Sequence, residues 1–144
     1  MHPGYSPHVE PPPVFDLEQV SAFLRASGLR ISEARADRVE GCIILGPEHH
    51  QPWGLVHGGV YTAAVETAAS VGASLAASEH GLVAVGVNNN TNFLRSKSEG
   101  RVDVVAEPLQ QGRTQQLWEV RVVDEEMRLV AVGQVRLQNV TPRR

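Results

Sequence analysis

The chain has 144 residues, a length for one domain with a continuous core, and its 42% hydrophobic residues plus 13 glycines exclude disorder of the whole chain. The 16 acidic against 13 basic residues leave a net charge of -3, which argues against a sequence-independent nucleic-acid binder. The charge is uneven: residues 1–94 hold four Arg against nine Asp or Glu, and residues 95–144 hold nine basic against seven acidic groups, so an anionic ligand is expected to meet the second half.

In chain order, Pro3, Pro7, Pro11, Pro12 and Pro13 without an apolar run predict a flexible arm over residues 1–15, neither a signal peptide nor a membrane span, ahead of a single domain over 16–144. Leu17, Val20, Phe23 and Leu24 share one helical face, with Asp16 as N-cap and Gly28 as the stop. Residues 37–45 read as a strand with Val39, Gly41, Ile43 and Leu45 on one side, ended by Gly46-Pro47. Cys42, the one cysteine, sits beside Ile43, Ile44 and Leu45 as an inert buried thiol and fits a reducing, cytoplasmic setting. The longest element is a helix from just after His57-Gly58-Gly59 to about Ser78. Its alanines lie all round the axis, so it is expected to be enclosed by close neighbours. Strands follow over Leu82 to Leu94, Arg101 to Leu109, Thr114 to Val123 and Arg128 to Val140, with Asp124-Glu125-Glu126 as a turn. The order predicts an α+β fold in which an antiparallel sheet covers one buried helix, with homodimerisation to cover what remains exposed.

The chemistry concentrates in Gln51 to Ser70. Two glycines at a helix entrance are either a plain turn or a place where uncovered backbone N–H groups stabilise an oxyanion. Glu66, among Ala, Val and Thr on a helix expected to be enclosed, is costly to bury without a purpose, or else lies on a solvated strip. Gly58 and Glu66 are eight residues apart, about 12 Å along a helix, too far to act on one carbonyl within one chain. An antiparallel copy of the helix in a two-fold dimer solves this. His49, His50 and His57 have no Cys or acid at ligand spacing, so no metal site is expected, and neither a P-loop nor a dinucleotide glycine motif is present.

The His-Gly-Gly run with an acid nine residues after the His resembles the hotdog-fold acyl-CoA thioesterases of the phenylacetate-degradation (PaaI-like) group. The form Gln51-x-Trp53-Gly54-Leu55-Val56-His57-Gly58-Gly59 looks most like the Arthrobacter-type 4-hydroxybenzoyl-CoA thioesterases, and the likeness runs over roughly residues 40–144, through Val85-Gly86 and Asn90 to Arg95. The resemblance implies a hotdog fold, a homodimer paired into a dimer of dimers, and coenzyme A as part of the substrate with no resident cofactor. It implies that Glu66 is nucleophile or general base, that the Gly58 N–H polarises the thioester carbonyl, and that Gln51 assists at the thioester. Ser70, where the family often has Thr, would orient the attacking group, and His57 with Gly59 would hold the turn at the substrate-binding site. For the coenzyme, Arg95, Arg113, Thr114, Arg143 and Arg144 are the expected phosphate or pantetheine contacts, and Asn90 and Thr91 are expected to border the acyl pocket. Two rivals stand beside thioester hydrolysis: a hotdog dehydratase or hydratase of 3-hydroxyacyl thioesters, and a non-catalytic acyl-CoA binding protein.

Overall fold

The structure, a computed structural model, describes residues 17–143, so the expected arm, Asp16 and Arg144 lie outside the described residues. Helices α1 (Leu17–Val20) and α2 (Ala22–Ser27) lead into strands β1 (Arg30–Arg35) and β2 (Arg38–Leu45). A 3-10 turn at Pro47–His49 precedes helix α3 (Gly58–Ser78), and β3 (Val83–Phe93), β4 (Gly100–Gln111), β5 (Gln115–Val123) and β6 (Leu129–Val140) complete the chain. The strands form one antiparallel sheet in the order β1-β2-β4-β5-β6-β3. No helix among the described residues is long and apolar enough to cross a membrane.

The expected α+β plan is present, with two corrections. The first helix is two, because Ser21 takes an extended conformation and its Oγ accepts the Leu24 N–H at 3.1 Å, capping α2 and interrupting what the apolar spacing alone would continue. Strand β1 was not expected. It pairs with β2 through an irregularity between Ile31 and Glu33, and an edge strand carrying Arg30, Glu33 and Arg35 hides its alternation behind solvated charges.

Helix α3 is the core of the molecule. Tyr61, Ala64, Val65, Ala68, Ala69, Val71, Gly72 and Ala73 are buried on it, against Val102, Val104, Trp118, Val120, Val135 and Leu137 of the sheet. Its small residues are a packing requirement: a methyl on Gly72 would strike the Trp118 ring. Trp118 cannot give way easily, since its Nε1 donates to Gln116 Oε1 at 2.9 Å, and Gln116 is itself tied to the Ala73 carbonyl at 3.0 Å. Along 21 residues the helix is a rod of about 30 Å, so its two ends serve different regions of the surface.

Strand β3 hydrogen-bonds to β6 and, among the described residues, leaves its other edge unpaired, with Val85 and Val87 exposed. Cys42 is buried, and burial pushes its thiol above the ordinary value, consistent with an unreactive group.

Candidate active site

His57 caps α3. Its Nδ1 accepts the Gly59 N–H at 2.7 Å, so the ring proton resides on Nε2 in the neutral form, and its carbonyl accepts the Val60 N–H at 3.0 Å. That leaves the Gly58 N–H, the first of the helix, without an acceptor among the described residues, at the positive end of the helix dipole. Glycine leaves room there for the Phe93 ring: a Cβ on Gly58 would lie 2.7 Å from its Cζ. The Phe93 ring also meets Tyr61, centroid to centroid 6.2 Å at 46°.

Gln51 closes the preceding loop on itself. Its N–H donates to the Leu55 carbonyl at 2.7 Å, and its Oε1 accepts the Trp53 N–H at 2.6 Å and the Leu55 N–H at 3.3 Å. With the oxygen engaged, the side-chain NH2 is left to donate. Gln51, Gly58, Tyr61, Phe93, Arg95 and Lys97 line a cleft of about 290 Å³, so the structure brings together three of the expected site residues: Gln51, Gly58 and Arg95. The Tyr61 hydroxyl is buried without a partner among the described residues. Burial pushes its pKa up to about 12, which keeps it a protonated donor at neutral pH.

Of the two sequence readings of Glu66, the protomer shows the solvated strip. Glu66 is exposed in the protomer, because the enclosed faces of α3 turn to the sheet while Glu66 lies on the strip beside the open edge of β3. It does not line the Gly58 cleft. The uninterrupted helix sets it about 12 Å along the axis from Gly58, as the spacing predicted. Ser70 follows one turn later on the same face, half-buried. His57 and Gly59 face a different hollow, of about 380 Å³, which Phe23 and Ala26 of α2 also line.

The Asn-rich strand splits its side chains between its two faces. Asn89 stands beside Glu66: its Nδ2 donates to the Thr62 carbonyl at 3.1 Å and to Glu66 Oε1 at 3.5 Å, and the Thr91 hydroxyl donates to Asn89 Oδ1 at 2.7 Å. The cause is a bulge. Gly86 pairs with Leu137 but Asn88 with Arg136, so one extra residue in β3 reverses the alternation and turns Asn89 and Thr91 to the helix and Asn90 away. The sequence signal, a polar pair at Asn89 and Thr91 within a strand, was visible but its facing was not.

The cationic candidates are spread. Arg113 lines a larger cavity of about 600 Å³ at the opposite end of α3, with His80, Gln111 and Asn139, a helix length from the Gly58 cleft. The cleft is the better candidate for chemistry because Gly58, whose N–H is uncapped, lines it, whatever the relative volumes. Thr114 is exposed and its carbonyl accepts the Asn139 N–H at 2.8 Å; Arg143 is exposed at the end of the described chain. Each histidine near the motif has a structural partner. Buried His49 sits 3.3 Å from the Gly46 N–H through Nδ1 and 3.1 Å from the Ala26 carbonyl through Nε2, which makes Nε2 the donor, and His50 Nε2 is 2.7 Å from the Ser98 carbonyl. No group of three His, Cys, Asp or Glu gathers for a metal among the described residues.

Comparison with known proteins places this geometry. The Thioesterase superfamily profile matches residues 54–131. The solved structure of a protein named as an esterase from Mycobacterium tuberculosis superposes with a TM-score of 0.82 at 45% identity, covering 86% of this chain and all of that one. A thioesterase structure from Haemophilus influenzae gives 0.78 at 32% identity, covering 88% of this chain and 92% of the other. The 1,4-dihydroxy-2-naphthoyl-CoA hydrolase of Listeria monocytogenes is 38% identical over 84 residues, 58% of this chain and 68% of its own length. The chain belongs to the thioesterase superfamily, with the hotdog fold and the hydrolase activity on thioesters that its relatives are named for.

Proposed function

We propose that the protein hydrolyses an acyl-CoA thioester, aromatic or medium-chain, to the free acid and CoA, at a site made by two chains. The observation that carries the reading is an uncapped N–H and a solvent-facing carboxylate on one continuous helix, about 12 Å apart, beside an unpaired sheet edge. A second copy whose β3 pairs antiparallel with this edge sets the two helices head to tail, so Gly58 of one protomer meets Glu66 of the other. Two equivalent sites result, and further pairing gives a dimer of dimers.

In this site the Gly58 N–H and the Gln51 NH2 polarise the thioester carbonyl and take the charge of the tetrahedral oxyanion. Glu66 acts in its ionised form. Either its carboxylate attacks the carbonyl carbon, expels the CoA thiolate and leaves an anhydride that water cleaves, or it takes a proton from water that attacks directly. Ser70 orients the attacking group. Thiolate is a good leaving group, so an oxyanion donor and one carboxylate suffice. Arg95 holds the coenzyme near the cleft. From Glu66 to Ala76 is about 15 Å along the helix, so Arg113 and Thr114 of the chain that supplies Glu66 suit the far, phosphate-bearing end, with Arg143 and Arg144 as further cations.

The test is thiol release from a panel of aromatic and aliphatic acyl-CoAs by the wild type and Glu66→Gln. The expected result is turnover by the wild type and a loss of several orders of magnitude in the variant. Inertness on the whole panel, binding without thiol release, hydration in place of hydrolysis, or full turnover by Glu66→Gln sinks the reading.

A further inference from the structure

We propose that Asn89 is a positioning residue that fixes the Glu66 carboxylate in its working orientation and is itself aligned by Thr91. The inference rests on the reading of Glu66 as the acting group.

The geometry is over-determined in a way a solvated surface amide is not. Asn89 spends one amide hydrogen on the Thr62 carbonyl at 3.1 Å and directs the other to Glu66 Oε1 at 3.5 Å, while its oxygen receives the Thr91 hydroxyl at 2.7 Å. Exchanging the amide oxygen and nitrogen would set an oxygen against two acceptors, so the network itself dictates which way Asn89 points. Thr62 and Glu66 are one turn apart on α3, and Asn89 therefore pins the backbone of that turn together with the side chain it presents.

The fold supplies two devices for this. The bulge at Gly86 to Asn88 turns Asn89 and Thr91 toward the helix; an unbroken alternation would turn them away. Gly133, paired with Thr91 across the ladder, has no side chain where a Cβ would lie 2.5 Å from Thr91 Oγ1 and 2.8 Å from Val65 Cγ1, so the empty position leaves room for the hydroxyl.

A hydrogen-bond donor on one carboxylate oxygen holds the group in one orientation, which either mechanism needs. Other charges do not take that role in the protomer. Strand β3 carries no ionisable side chain. On the other strands Arg35 pairs with Glu33, Arg38 with Glu40 and Glu107, Arg101 with Asp103 and Arg121 with Glu119, and Arg136 of β6 donates to Gln115. No ion pair reaches Glu66 among the described residues.

The experiment compares the full-length wild type with Asn89→Leu, Thr91→Val, Thr91→Ser and Glu66→Gln, each checked for folding by circular dichroism, on the best acyl-CoA of the panel. For Asn89→Leu we expect kcat to fall about 10- to 100-fold, the rate equivalent of one hydrogen bond to a charged group, with KM within about threefold. Thr91→Val should lose about 3- to 10-fold in kcat, less than Asn89→Leu because it loosens a neutral hydrogen bond, and Thr91→Ser, which keeps the hydroxyl, should stay near wild type. A folded Asn89→Leu with unchanged kcat overturns the proposal, as does Thr91→Ser falling as far as Thr91→Val. If Asn89→Leu does not fold, the Thr91 pair decides the matter alone. Loss of turnover in Glu66→Gln with none in Asn89→Leu removes only this inference, whereas an active Glu66→Gln removes the reading beneath it.

Discussion

Replacing Gly58 by alanine separates the helix-entry donor from the stability of the helix it begins. The added Cβ would sit 2.7 Å from Cζ and 2.9 Å from Cδ2 of Phe93, against an ordinary carbon–carbon separation of about 3.5–4.0 Å, so the ring must retreat by about 1 Å. Phe93 is 54% exposed and gives way at little cost. Alanine is also favoured over glycine in a helix by about 1 kcal/mol at most, and global stability should change by less than about 1 kcal/mol. The displaced ring, however, crowds the cleft that Gly58 lines, and a misplacement near 1 Å at a reacting centre costs up to about 100-fold. The assay is kcat/KM for thiol release alongside a urea melt: we expect a fall of about 10- to 100-fold in the first and near-coincident curves in the second. In Phe93→Ala the same Gly58→Ala change should cost much less, since its obstacle has been removed. An unchanged kcat/KM in Gly58→Ala, or the same loss with and without Phe93, refutes the reasoning.

Tyr61→Phe removes a buried hydroxyl that has no partner among the described residues, and such a group costs about 1–3 kcal/mol to bury. Its Tm should therefore hold or rise by about 2–4 °C, and a clear fall would reveal a hydrogen bond made by that hydroxyl. Asp124 closes the β5–β6 turn and is 2% exposed: Oδ1 accepts the N–H groups of Glu126 and Arg128, and Oδ2 accepts Arg128 Nε, all at 2.9 Å. Burial pushes this carboxyl up, but the N–H donors and the guanidinium outweigh it and hold the pKa below the ordinary 3.8. A depressed folded-state value means stabilisation that is present above the unfolded pKa and lost as pH falls through the folded one. Asp124→Asn should be less stable than wild type at pH 7, with the gap between their melts closing below about pH 4; a gap independent of pH contradicts the assignment.

The long helix and the four strands after it were legible because their signals are local and uncontested. Gly58-Gly59 opens an alanine-rich stretch without proline that runs to Ser78, and valines alternate through β4 to β6. What escaped depended on competition or on parity. Ser21 capping α2 outweighed the apolar spacing that argued for one helix, and charges on the β1 edge concealed its pairing. The facing of Glu66 stays open in the sequence because small residues all round α3 suggest enclosure on every side, whereas one strip lies open beside strand β3. The place of Asn89 beside Glu66 does not show in the sequence because a single extra residue at Gly86 to Asn88 reverses every later side chain, and no composition signal announces a bulge. The separation of Arg95 from Arg113 by the length of α3 is likewise a property of the fold, invisible in a charge count.

Mixing two crippled chains tests the shared site most directly. Glu66→Gln keeps the cleft with Gln51 and Gly58, and Gln51→Ala keeps Glu66. If one site draws these groups from different protomers, random assembly of equal amounts gives about one intact site in four, and activity should recover to about a quarter of wild type. If each chain carries its own complete site, the mixture stays as inactive as its two components, and the two-chain arrangement is wrong.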